Sequence, residues 1–454
     1  MTPVARPFRR ILVANRGEIA LRIIRACHEL EIEAIQVYSE ADRDSLPVRL
    51  ADGAICIGPS PSRQSYLRIE SLIAAARVAR ADAIHPGYGF LSENAAFVRA
   101  CDKAGIVFIG PSARAVQLMG DKATARRIAA EAGVPITPGS PDTVPDAAAA
   151  RVAAAELGYP VVLKAAAGGG GRGMRVVRDD GELVARFSDA AREAQATFGK
   201  NGLYVEKFLE RVRHVEIQVL SDADAVLHLG ERDCSIQRRN QKLVEESPSP
   251  ALDGKLRARM SEAAVRICRH VGYKSAGTVE FIVDSAGAFY FMEMNTRLQV
   301  EHPVTELVTG IDIVKAQIGV AQGEHLQIAQ DDVQLTGHAL ECRVNAEDPA
   351  RDFAPSPGEV RTLRMPGGPG IRIDSHLYAG YRVPPFYDSL LAKVIAWGRD
   401  RNEAIMRMRR ALSEMQLEGL STTLPFHLRL MHDDRFRRGD VHTRYIENDF
   451  AGTA

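Results

Sequence analysis

Short apolar runs alternate with amphipathic segments along the first part of the chain. The apolar run at residues 11–14 predicts a buried strand, and apolar residues then recur every three or four positions over residues 18–30, which predicts a helix. The alternation continues with predicted strands near 34–38, 83–85 and 106–109 and predicted helices near 65–80 and 93–104. This order of elements predicts a parallel, doubly wound sheet.

Strands dominate the middle of the chain. Beyond a predicted helix at 146–157, apolar runs predict strands at 161–163, 174–177, 203–209, 214–221 and 225–229. A helix near 253–271 then precedes a β-hairpin at 277–295 that turns at residues 285–287. From about residue 335, short strands with Pro/Gly turns precede helices near 401–415 and 423–434. The chain is therefore predicted to be α/β at its start and α+β overall.

Composition and charge exclude several classes of protein. The 454 residues include 58 basic and 58 acidic side chains, so no charge excess points to a nucleic acid or a membrane surface. No stretch of 18 apolar residues predicts a membrane span. Six scattered cysteines without a CxxC spacing favour a reducing cytoplasm. Only ten basic residues are lysines, which singles out Lys122, Lys164 and Lys242 as places where a compact, mobile charge is needed.

The segment KAAAGGGGRGMR at residues 164–175 indicates a phosphate site. The run Gly168, Gly169, Gly170 and Gly171 is costly to order but leaves bare amides that suit an anion beside Lys164. A flexible linker is the alternative. A predicted strand follows the glycines, which argues against a dinucleotide-binding motif, and neither a P-loop nor the kinase HRD and DFG set occurs. A strand–loop–strand flap over a nucleotide, as in ATP-grasp enzymes, remains.

Two carboxylates and an amide are predicted to share one face of the hairpin. Glu293 and Asn295 are two positions apart, and a two- or four-residue turn places Glu280 on the same face. Such oxygen ligands suit Mg²⁺ or Mn²⁺. The alternative is a solvated face, although Phe289 and Phe291 share the parity of Glu293 and argue against it.

An arginine, an amide and an acid follow the hairpin. Arg297 and Gln299 are suited to hold a small planar oxyanion, with Glu301 as a candidate base. The cationic run at 235–242 contains Lys242, although its arginines also fit a merely solvated face. Residues 338–348 predict a strand that enters a polar turn, and this pattern alone indicates no function.

These motifs closely resemble biotin carboxylase, an ATP-grasp enzyme, over essentially the whole chain. The matching runs are ANRGEIALRI (14–23), IHPGYGFLSEN (84–94), MGDK (119–122), GGGGRGM (168–174), RHVEIQV (213–219), ERDCSIQRRNQK (231–242), EMNTRLQVEHPVTE (293–306), ECRVNAED (341–348) and YDSLLAK (387–393). The resemblance implies an N-terminal pre-ATP-grasp domain at 1–115 and an ATP-grasp domain at 116–320. A mobile glycine-rich lid at about 135–208 and a C-terminal mixed α/β domain at 335–450 would complete the fold.

The resemblance also implies a role for each matching residue. ATP would be bound by Lys122, Lys164, Gly168, Gly169, Gly170, Gly171, Glu206, Lys207, Phe208, Leu209, His214, Gln237 and Asn240. Two Mg²⁺ or Mn²⁺ ions would be held by Glu280 and Glu293, with Asn295 beside them. Bicarbonate would be bound by Lys242, Arg297, Gln299 and Val300, Glu301 would deprotonate it, and Arg343 would stabilise the biotin enolate. The chain departs from residues common in the family at Asn240, where many members have His, at Ala167 and at Pro47.

The implied reaction is the ATP-dependent carboxylation of biotin from bicarbonate through carboxyphosphate. The chain ends at Ala454 without a biotinyl domain, which predicts biotin on a separate carrier protein and carboxyltransferase partners, as in acetyl-CoA or acyl-CoA carboxylases. A homodimer in the cytoplasm is expected, with no nucleic acid and no membrane. One alternative is a carboxylate–amine ligase, which would not need Arg297, Gln299 and Glu301. A catalytically silent nucleotide-binding subunit is the other.

Overall fold

The computed structural model describes residues 7–165, 174–198 and 202–450 and begins with a five-stranded parallel sheet of order β3-β2-β1-β4-β5. Helices cover both faces, because alternate residues of β1 pack against α1 on one side and against α3 and α4 on the other. The predicted doubly wound sheet is therefore confirmed. Its elements are β1 (Arg10–Val13), α1 (Gly17–Glu29), β2 (Glu33–Ser39), α2 (Leu46–Leu50), β3 (Gly53–Gly58), α3 (Ile69–Ala79), β4 (Ala83–His85), α4 (Ala95–Ala104) and β5 (Val107–Phe108).

Two elements of this first unit, α2 and β3, were not predicted. The edge strand β3 is only partly buried, so its apolar pattern is weak. Pro47 lies in the first turn of α2, where a proline is tolerated because the amide there has no helical partner.

A three-stranded antiparallel sheet of order β7-β6-β8 forms a small layer of its own. Alanines of α7 and α8 pack on its apolar face, against Val161, Leu163 and Val205. The elements of this stretch are α5 (Ala113–Gly120), α6 (Lys122–Glu131), α7 (Ala147–Leu157), β6 (Val161–Ala165), β7 (Met174–Val177), α8 (Asp180–Phe198) and β8 (Leu203–Lys207). The glycine run predicted to join β6 and β7 lies outside the described residues.

An eight-stranded antiparallel sheet of order β13-β12-β9-β10-β11-β14-β21-β19 is the largest element of the fold. Its first strands and the helices that pack on it are β9 (Arg213–Ser221), β10 (Val226–Arg238), β11 (Gln241–Ser247), α9 (Gly254–Val271), β12 (Ser275–Val283), β13 (Phe289–Asn295), α10 (His302–Thr309) and α11 (Ile313–Gln322). The strand predicted at 225–229 thus extends to Arg238, and β11 was not predicted.

Three strands of the C-terminal stretch, β14, β19 and β21, complete this same sheet. The remaining elements are β14 (His338–Asn345), β15 (Glu347–Asp348), β16 (Ala354–Pro355), β17 (Gly358–Glu359), β18 (Thr362–Arg364), β19 (Ile371–Ser375), β20 (Arg382–Val383), β21 (Leu390–Gly398), α12 (Arg401–Glu414), β22 (Gln416–Glu418), α13 (Leu424–His432), α14 (Asp434–Arg438) and α15 (Tyr445–Asn448). Strands from both sides of residue 335 therefore belong to one continuous sheet. Among the helices described, none is both long and apolar enough to cross a membrane.

A β-bulge at Met292 decides which side chains of β13 face the core. Glu280 of β12 lies opposite Glu293, whereas the next residue, Phe281, lies opposite Phe291. One extra residue therefore stands on β13, and it reverses the alternation of side chains between the two faces. Phe281 and Phe291 pack in the core beneath α9.

The bulge separates the aromatic residues of the hairpin from its acids. Because of it, Phe289 and Phe291 lie in the core while Glu293 and Asn295 lie on the opposite face with Glu280. The expectation that the phenylalanines share a face with Glu293 is wrong. The expectation that the two glutamates and the asparagine share a face is confirmed.

We predict losses of stability of very different size at Phe291 and Met292, the two adjacent positions at the bulge. Phe291→Ala removes a buried ring and is expected to lower the free energy of unfolding by about 3–5 kcal/mol. Met292→Ala removes a half-exposed side chain and is expected to cost less than about 1 kcal/mol. Chemical or thermal unfolding measures both. A regular strand with Glu293 on the cleft face would give the reverse order, so that result would contradict the bulge.

Candidate active site

One cleft of about 1390 Å³ collects most of the predicted site residues. Its walls come from the large sheet, the three-stranded sheet and two loops of the first unit, at residues 15–19 and 88–90. The predicted residues that line it are Lys122, Lys164, Glu206, His214, Gln237, Asn240, Lys242, Glu280, Glu293, Asn295, Arg297, Gln299, Val300, Glu301 and Arg343. The fold thus brings together side chains from distant parts of the chain.

Three glutamates stand side by side across the large sheet. Glu293 on β13 lies opposite Glu280 on β12, which lies opposite Glu216 on β9. Arg232 on β10 lies opposite Glu216 and ends the row, with its Nε 2.6 Å from Glu216 Oε1. Because directly opposed residues share a face of a sheet, the register alone places these carboxylates together.

Lys242 on β11 neutralises part of this row. Its Nζ lies 2.6 Å from Glu216 Oε2, 2.9 Å from Glu280 Oε1 and 2.6 Å from Glu301 Oε1. Burial acts to lower the pKa of Lys242, but the surrounding acidic groups outweigh burial and hold that pKa well above its ordinary value. All three ammonium donors are used, and the charge is permanent at neutral pH.

Glu301 joins Lys242 to Arg343. One carboxylate oxygen accepts from Lys242, and the other accepts from a terminal nitrogen of Arg343 at 2.8 Å. Burial acts to raise the pKa of Glu301, but Lys242 and Arg343 together hold that pKa well below its ordinary value. The carboxylate is therefore ionised at neutral pH and able to accept a proton.

Arg343 is fixed by its side chain and by its backbone. Its Nε donates to Glu245 Oε1 at 2.6 Å, in addition to the bond to Glu301. Its carbonyl oxygen accepts from Thr423 Oγ1 at 2.9 Å and lies 2.7 Å from His427 Nε2, which ties β14 to α13. The guanidinium therefore has a defined position in the cleft wall.

Arg297 is oriented by three side-chain acceptors. Its Nε donates to Glu93 Oε2 at 2.8 Å, and its terminal nitrogens donate to Gln299 Oε1 at 2.9 Å and to Asn295 Oδ1 at 3.0 Å. Glu93 also accepts from the amide of Thr296 at 2.9 Å, which fixes the acid itself. Arg297 and Gln299 therefore lie side by side, as an oxyanion site requires.

Glu280 and Glu293 offer hard oxygen ligands on the cleft face. Glu280 Oε2 lies 2.9 Å from His214 Nε2, and Glu293 Oε2 lies 3.4 Å from Lys122 Nζ. Asn295 Nδ2 donates to Glu280 Oε1 at 2.8 Å. Two opposed carboxylates beside an amide fit the ligand preference of Mg²⁺ or Mn²⁺.

A second group of ligand atoms lies deeper in the same wall. His214, Glu216 and Glu280 place nitrogen and oxygen atoms within 4.8 Å of one another. Glu216 is already neutralised by Lys242 and Arg232, so this group fits a cation less well than the pair Glu280 and Glu293. Burial acts to lower the pKa of His214, but Glu280 outweighs it and raises that pKa above its ordinary value.

Lys164 reaches the cleft from the three-stranded sheet. It forms an ion pair with Glu206, whose other oxygen lies 3.1 Å from a terminal nitrogen of Arg126. The pairing of β6 with β8 places both side chains at the cleft edge. The predicted glycines Gly168 to Gly171, with Ala167, lie outside the described residues.

Three predicted nucleotide residues, Lys207, Phe208 and Leu209, do not line the cleft within the described ranges. Lys207 Nζ donates to the carbonyl oxygens of Gly158 and Tyr159 at 2.9 and 3.0 Å. The amide of Phe208 donates to the carbonyl oxygen of Pro160 at 3.1 Å. The Lys207 ammonium therefore binds backbone behind the cleft wall.

Gln237 and Asn240 lie on the hairpin that joins β10 to β11. Gln237 Nε2 donates to the carbonyl oxygen of Cys234 at 3.1 Å and lies 3.4 Å from His214 Nδ1. Arg239 and Asn240 have φ angles of 49° and 65°, as a tight hairpin turn requires. An asparagine tolerates this conformation, which gives a structural reason for Asn240.

Sequence reasoning missed three buried partners of the predicted residues, Glu216, Arg232 and Glu245, and one exposed partner, Glu93. The signal for Glu216 was the polar alternation of His214, Glu216 and Gln218 along a predicted strand. Glu93 and Arg232 lie in the family motifs, and Glu245 lies next to the cationic run. The sequence does not show which residues these acids and this arginine pair with in space.

Comparisons with known proteins match the chain along its length. The family model "Biotin carboxylase, N-terminal domain" matches residues 7–116, and "Biotin carboxylase C-terminal domain" matches residues 341–448. Between them, "Carbamoyl-phosphate synthase L chain, ATP binding domain" matches residues 121–329.

Individual relatives agree. The chain is 56% identical over 441 residues to the biotin carboxylase of Nostoc sp., covering 97% of this chain and 99% of the relative. It is 53% identical over 442 residues to one of the subunits of pyruvate carboxylase from Methanothermobacter thermautotrophicus, covering 97% and 90%. The solved biotin carboxylase domain of Hydrogenobacter thermophilus 2-oxoglutarate carboxylase, a dimer with MgADP, ADP and bicarbonate, matches with a TM-score of 0.92 at 48% identity, covering 98% and 99%.

These matches cover the parallel sheet, the antiparallel sheets and the cleft between them. The resemblance indicated by the motifs is confirmed, as is the expected fold. The chain belongs to the biotin carboxylase family and is an ATP-dependent ligase with the ATP-grasp fold.

Proposed function

We propose that the chain carboxylates biotin on a separate biotin carboxyl carrier protein, using ATP and bicarbonate. The observation that carries the proposal is the Glu301 carboxylate, held between Lys242 and Arg343 in the cleft wall. A deprotonated acid between two cations is suited to remove a proton from a bound anion while the cations stabilise the charge.

Bicarbonate is proposed to bind at Arg297, Gln299, Lys242 and the backbone of Val300. The fixed guanidinium of Arg297 and the adjacent amide support this assignment, because together they match a planar oxyanion. The carbonyl oxygen of Val300 accepts from Lys393 Nζ at 2.8 Å, which orients this stretch of backbone. Glu301 is proposed as the base that deprotonates the bound anion.

The nucleotide is proposed to occupy the cleft between the two antiparallel sheets. Its phosphates would meet Lys122, Lys164, His214 and the glycine run 168–171, and Glu206, Gln237 and Asn240 would complete the site. Glu280 and Glu293, beside Asn295, are proposed to hold Mg²⁺ or Mn²⁺, with room for two ions as a further proposal. Such an ion supplies positive charge that neutralises the phosphate oxygens.

The proposed chemistry has two steps. A bicarbonate oxygen attacks the γ-phosphoryl group, ADP leaves and carboxyphosphate forms, with lysines and Arg297 screening the repulsion between anions. Carboxyphosphate then breaks down to CO₂ and phosphate, the phosphate takes the proton from the ureido nitrogen of biotin, and that nitrogen attacks the CO₂. Arg343 is proposed to stabilise the biotin enolate in this second step.

The final acceptor of the carboxyl group is proposed to be acetyl-CoA or another acyl-CoA. Two of the relatives named above come from a pyruvate carboxylase and a 2-oxoglutarate carboxylase, so the shared domain serves several acceptors in those proteins. We further propose carboxyltransferase partners, a homodimer, a cytoplasmic location, and division into domains at 1–115, 116–320 and 335–450, with a lid at 135–208.

Phosphate release from Mg-ATP with bicarbonate, measured with and without biotin, tests the proposed function. Strong stimulation by free biotin or a biotinylated carrier is expected, because biotin consumes the activated carboxyl group. Phosphate release that is unchanged by biotin but increases with an amine would identify a carboxylate–amine ligase. Nucleotide binding without turnover under every condition would identify a silent subunit.

Arg343→Ala is expected to lower the rate of biotin carboxylation by at least about 10²-fold, because it removes charge stabilisation from the reacting centre. ATP binding is expected to stay near wild type, since Arg343 bonds to Glu245 and Glu301 rather than to the nucleotide side. Carboxybiotin formation and nucleotide titration measure the two quantities. An equal loss of both would remove the assigned role.

Glu301→Gln is expected to abolish bicarbonate-dependent turnover, because an amide cannot accept the proton. Steady-state phosphate release measures it. The matched control is Glu414→Gln, an exposed acid on α12 whose loss is expected to leave turnover unchanged. Wild-type rates in the Glu301 variant would show that another group is the base.

A further inference from the structure

Two buried acids face each other behind Arg343. Glu245 on β11 lies directly opposite Glu341 on β14, so their side chains share one face of the sheet. Both residues are fully buried. Arg343 lies two positions from Glu341 on that face and donates through its Nε to Glu245. The two acids therefore adjoin a residue proposed to act on biotin.

The hydrogen bonds of this pair are incomplete. Within residues 7–165, 174–198 and 202–450, Oε2 of Glu245 and both oxygens of Glu341 are buried without a hydrogen-bond partner. A carboxylate buried without a donor or a cation is very costly. A protonated carboxyl group is itself a donor and satisfies a neighbouring carboxylate.

The cations nearest to Glu341 bind other groups. Lys393 on β21 donates to the carbonyl oxygen of Val300 at 2.8 Å and lies 3.2 Å from Glu18 Oε1 and 3.9 Å from Asp374 Oδ2. Arg343 bonds to Glu245 and Glu301, as described above. Among the described ion pairs, none includes Glu341.

The helix α10 and the first unit add no charge that neutralises Glu341. On α10, burial holds the pKa of His302 well below its ordinary value, so this ring is neutral. Glu306 on the same helix pairs with Arg22 and Arg372. The hydroxyl of Tyr88 bonds to Glu18, which already pairs with Lys393.

We propose that Glu245 and Glu341 share one proton, with Glu341 the neutral acid that donates to Glu245, and that this pair positions Arg343. The acid pair rests on the strand register, the burial and the unpartnered oxygens, whereas its effect on turnover rests on the proposed function. In this arrangement the pair carries one negative charge. That charge matches the charge of Arg343, so Glu301 remains paired with Lys242.

The electrostatics agree with one shared proton. Burial raises the pKa of Glu245 to about 7, with Glu301 adding to the rise and Arg343 opposing it. Burial raises the pKa of Glu341 well above its ordinary value, against the opposing charge of Lys393. Glu245 adds to the rise at Glu341, so the two acids are expected not to ionise together at neutral pH.

Ionisation of both acids would change the position of Arg343. A second negative charge on β14 would draw the guanidinium away from Glu301 and toward the two acids. The second negative charge would also make the ionised form of Glu301, which lies beside these acids, less favourable. We therefore infer that turnover falls at alkaline pH as the shared proton is lost.

Infrared spectroscopy of the intact protein detects the shared proton directly. Wild type at pH 8 is expected to show the carbonyl band of a protonated carboxyl group, and Glu341→Gln is expected to lose it. The matched control is Glu246→Gln, on the other face of β11. Burial acts to raise the pKa of Glu246, but Arg401 and His338 lower that pKa to about 2, so it is ionised and its loss is expected to leave the band unchanged. Absence of the band in wild type would overturn the proposal.

Thermal unfolding provides an independent measurement with a defined sign. A carboxyl group whose pKa is raised in the folded state stabilises the fold fully below its unfolded pKa, near 4.5 for Glu, and loses that stabilisation as pH rises. Glu341→Gln cannot ionise, so its melting temperature relative to wild type is expected to rise between pH 6 and pH 9. Glu246→Gln removes an ion pair and is expected to melt lower than wild type. A difference in melting temperature between Glu341→Gln and wild type that stays constant or falls between pH 6 and pH 9 would show that Glu341 is already ionised in the folded protein, and would overturn the proposal.

The pH dependence of kcat/KM for biotin tests the link to Arg343. Glu341→Gln is expected to stay within about twofold of wild type at pH 7 and to keep its activity at alkaline pH where wild type declines. Glu245→Gln removes the charged acceptor of Arg343 and is expected to lower kcat/KM about tenfold or more. Identical pH profiles for wild type and Glu341→Gln would overturn the positioning role. If wild type shows no response to biotin, the proposed function fails, and the infrared and melting results still decide the acid pair.

Discussion

One buried ammonium allows the acids of the cleft to stand together. Lys242 bonds to Glu216, Glu280 and Glu301, which come from two strands and the segment before α10. Without it, three ionised carboxylates would face one another in a site largely closed to water, at a cost no packing gain could offset. A buried ion pair is weak evidence for stability, because an apolar replacement of the whole cluster would often be as stable. The cluster is therefore better explained by chemistry than by folding. The cluster keeps charged side chains at a place in the cleft where they can interact with a bound anion.

The large sheet sets the distances between the parts of the site. Its strands β12 and β13 carry Glu280 and Glu293, β11 carries Lys242, and β14 carries Arg343. Neighbouring strands lie about 4.8 Å apart, so a hydrogen-bonded sheet separates these groups by fixed steps. Lys164 and Glu206 stand on a different, smaller sheet, which is joined to the large one by irregular chain. Lys242, Glu280, Glu293 and Arg343 are thus built on one sheet, and Arg297 and Glu301 lie in the segment that directly follows β13. Lys164, which would meet the nucleotide, is carried by the smaller sheet.

Hydrophobic patterning was sufficient for four of the five strands of the parallel sheet and failed where polar residues are buried. Strands β1, β2 and β4 have apolar side chains on both faces and were predicted almost to the residue. Strand β11 has Lys242, Glu245 and Glu246 in buried or half-buried positions, so its pattern is that of a surface segment. The bulge at Met292 leaves no periodic signal in the sequence, because one inserted residue only shifts the alternation of core-facing and cleft-facing side chains by one position. The residue types at 280, 293, 297 and 301 indicated a cation and an anion site. Their partners across the sheet depend on register, which a single sequence does not show.

The low pKa of Glu301 imposes a condition on its proposed use as a base. A carboxylate stabilised by both Lys242 and Arg343 has little affinity for a proton while the cleft holds no anion. An anion that binds to Lys242 would share that cation with Glu301, and an enolate beside Arg343 would share the other. In each case the cation stabilises the ionised Glu301 less strongly, so the pKa of Glu301 rises. Glu301 would then become an effective base only when its substrate is in place. The same two cations that keep the acid ionised in the free protein would thus control when it reacts.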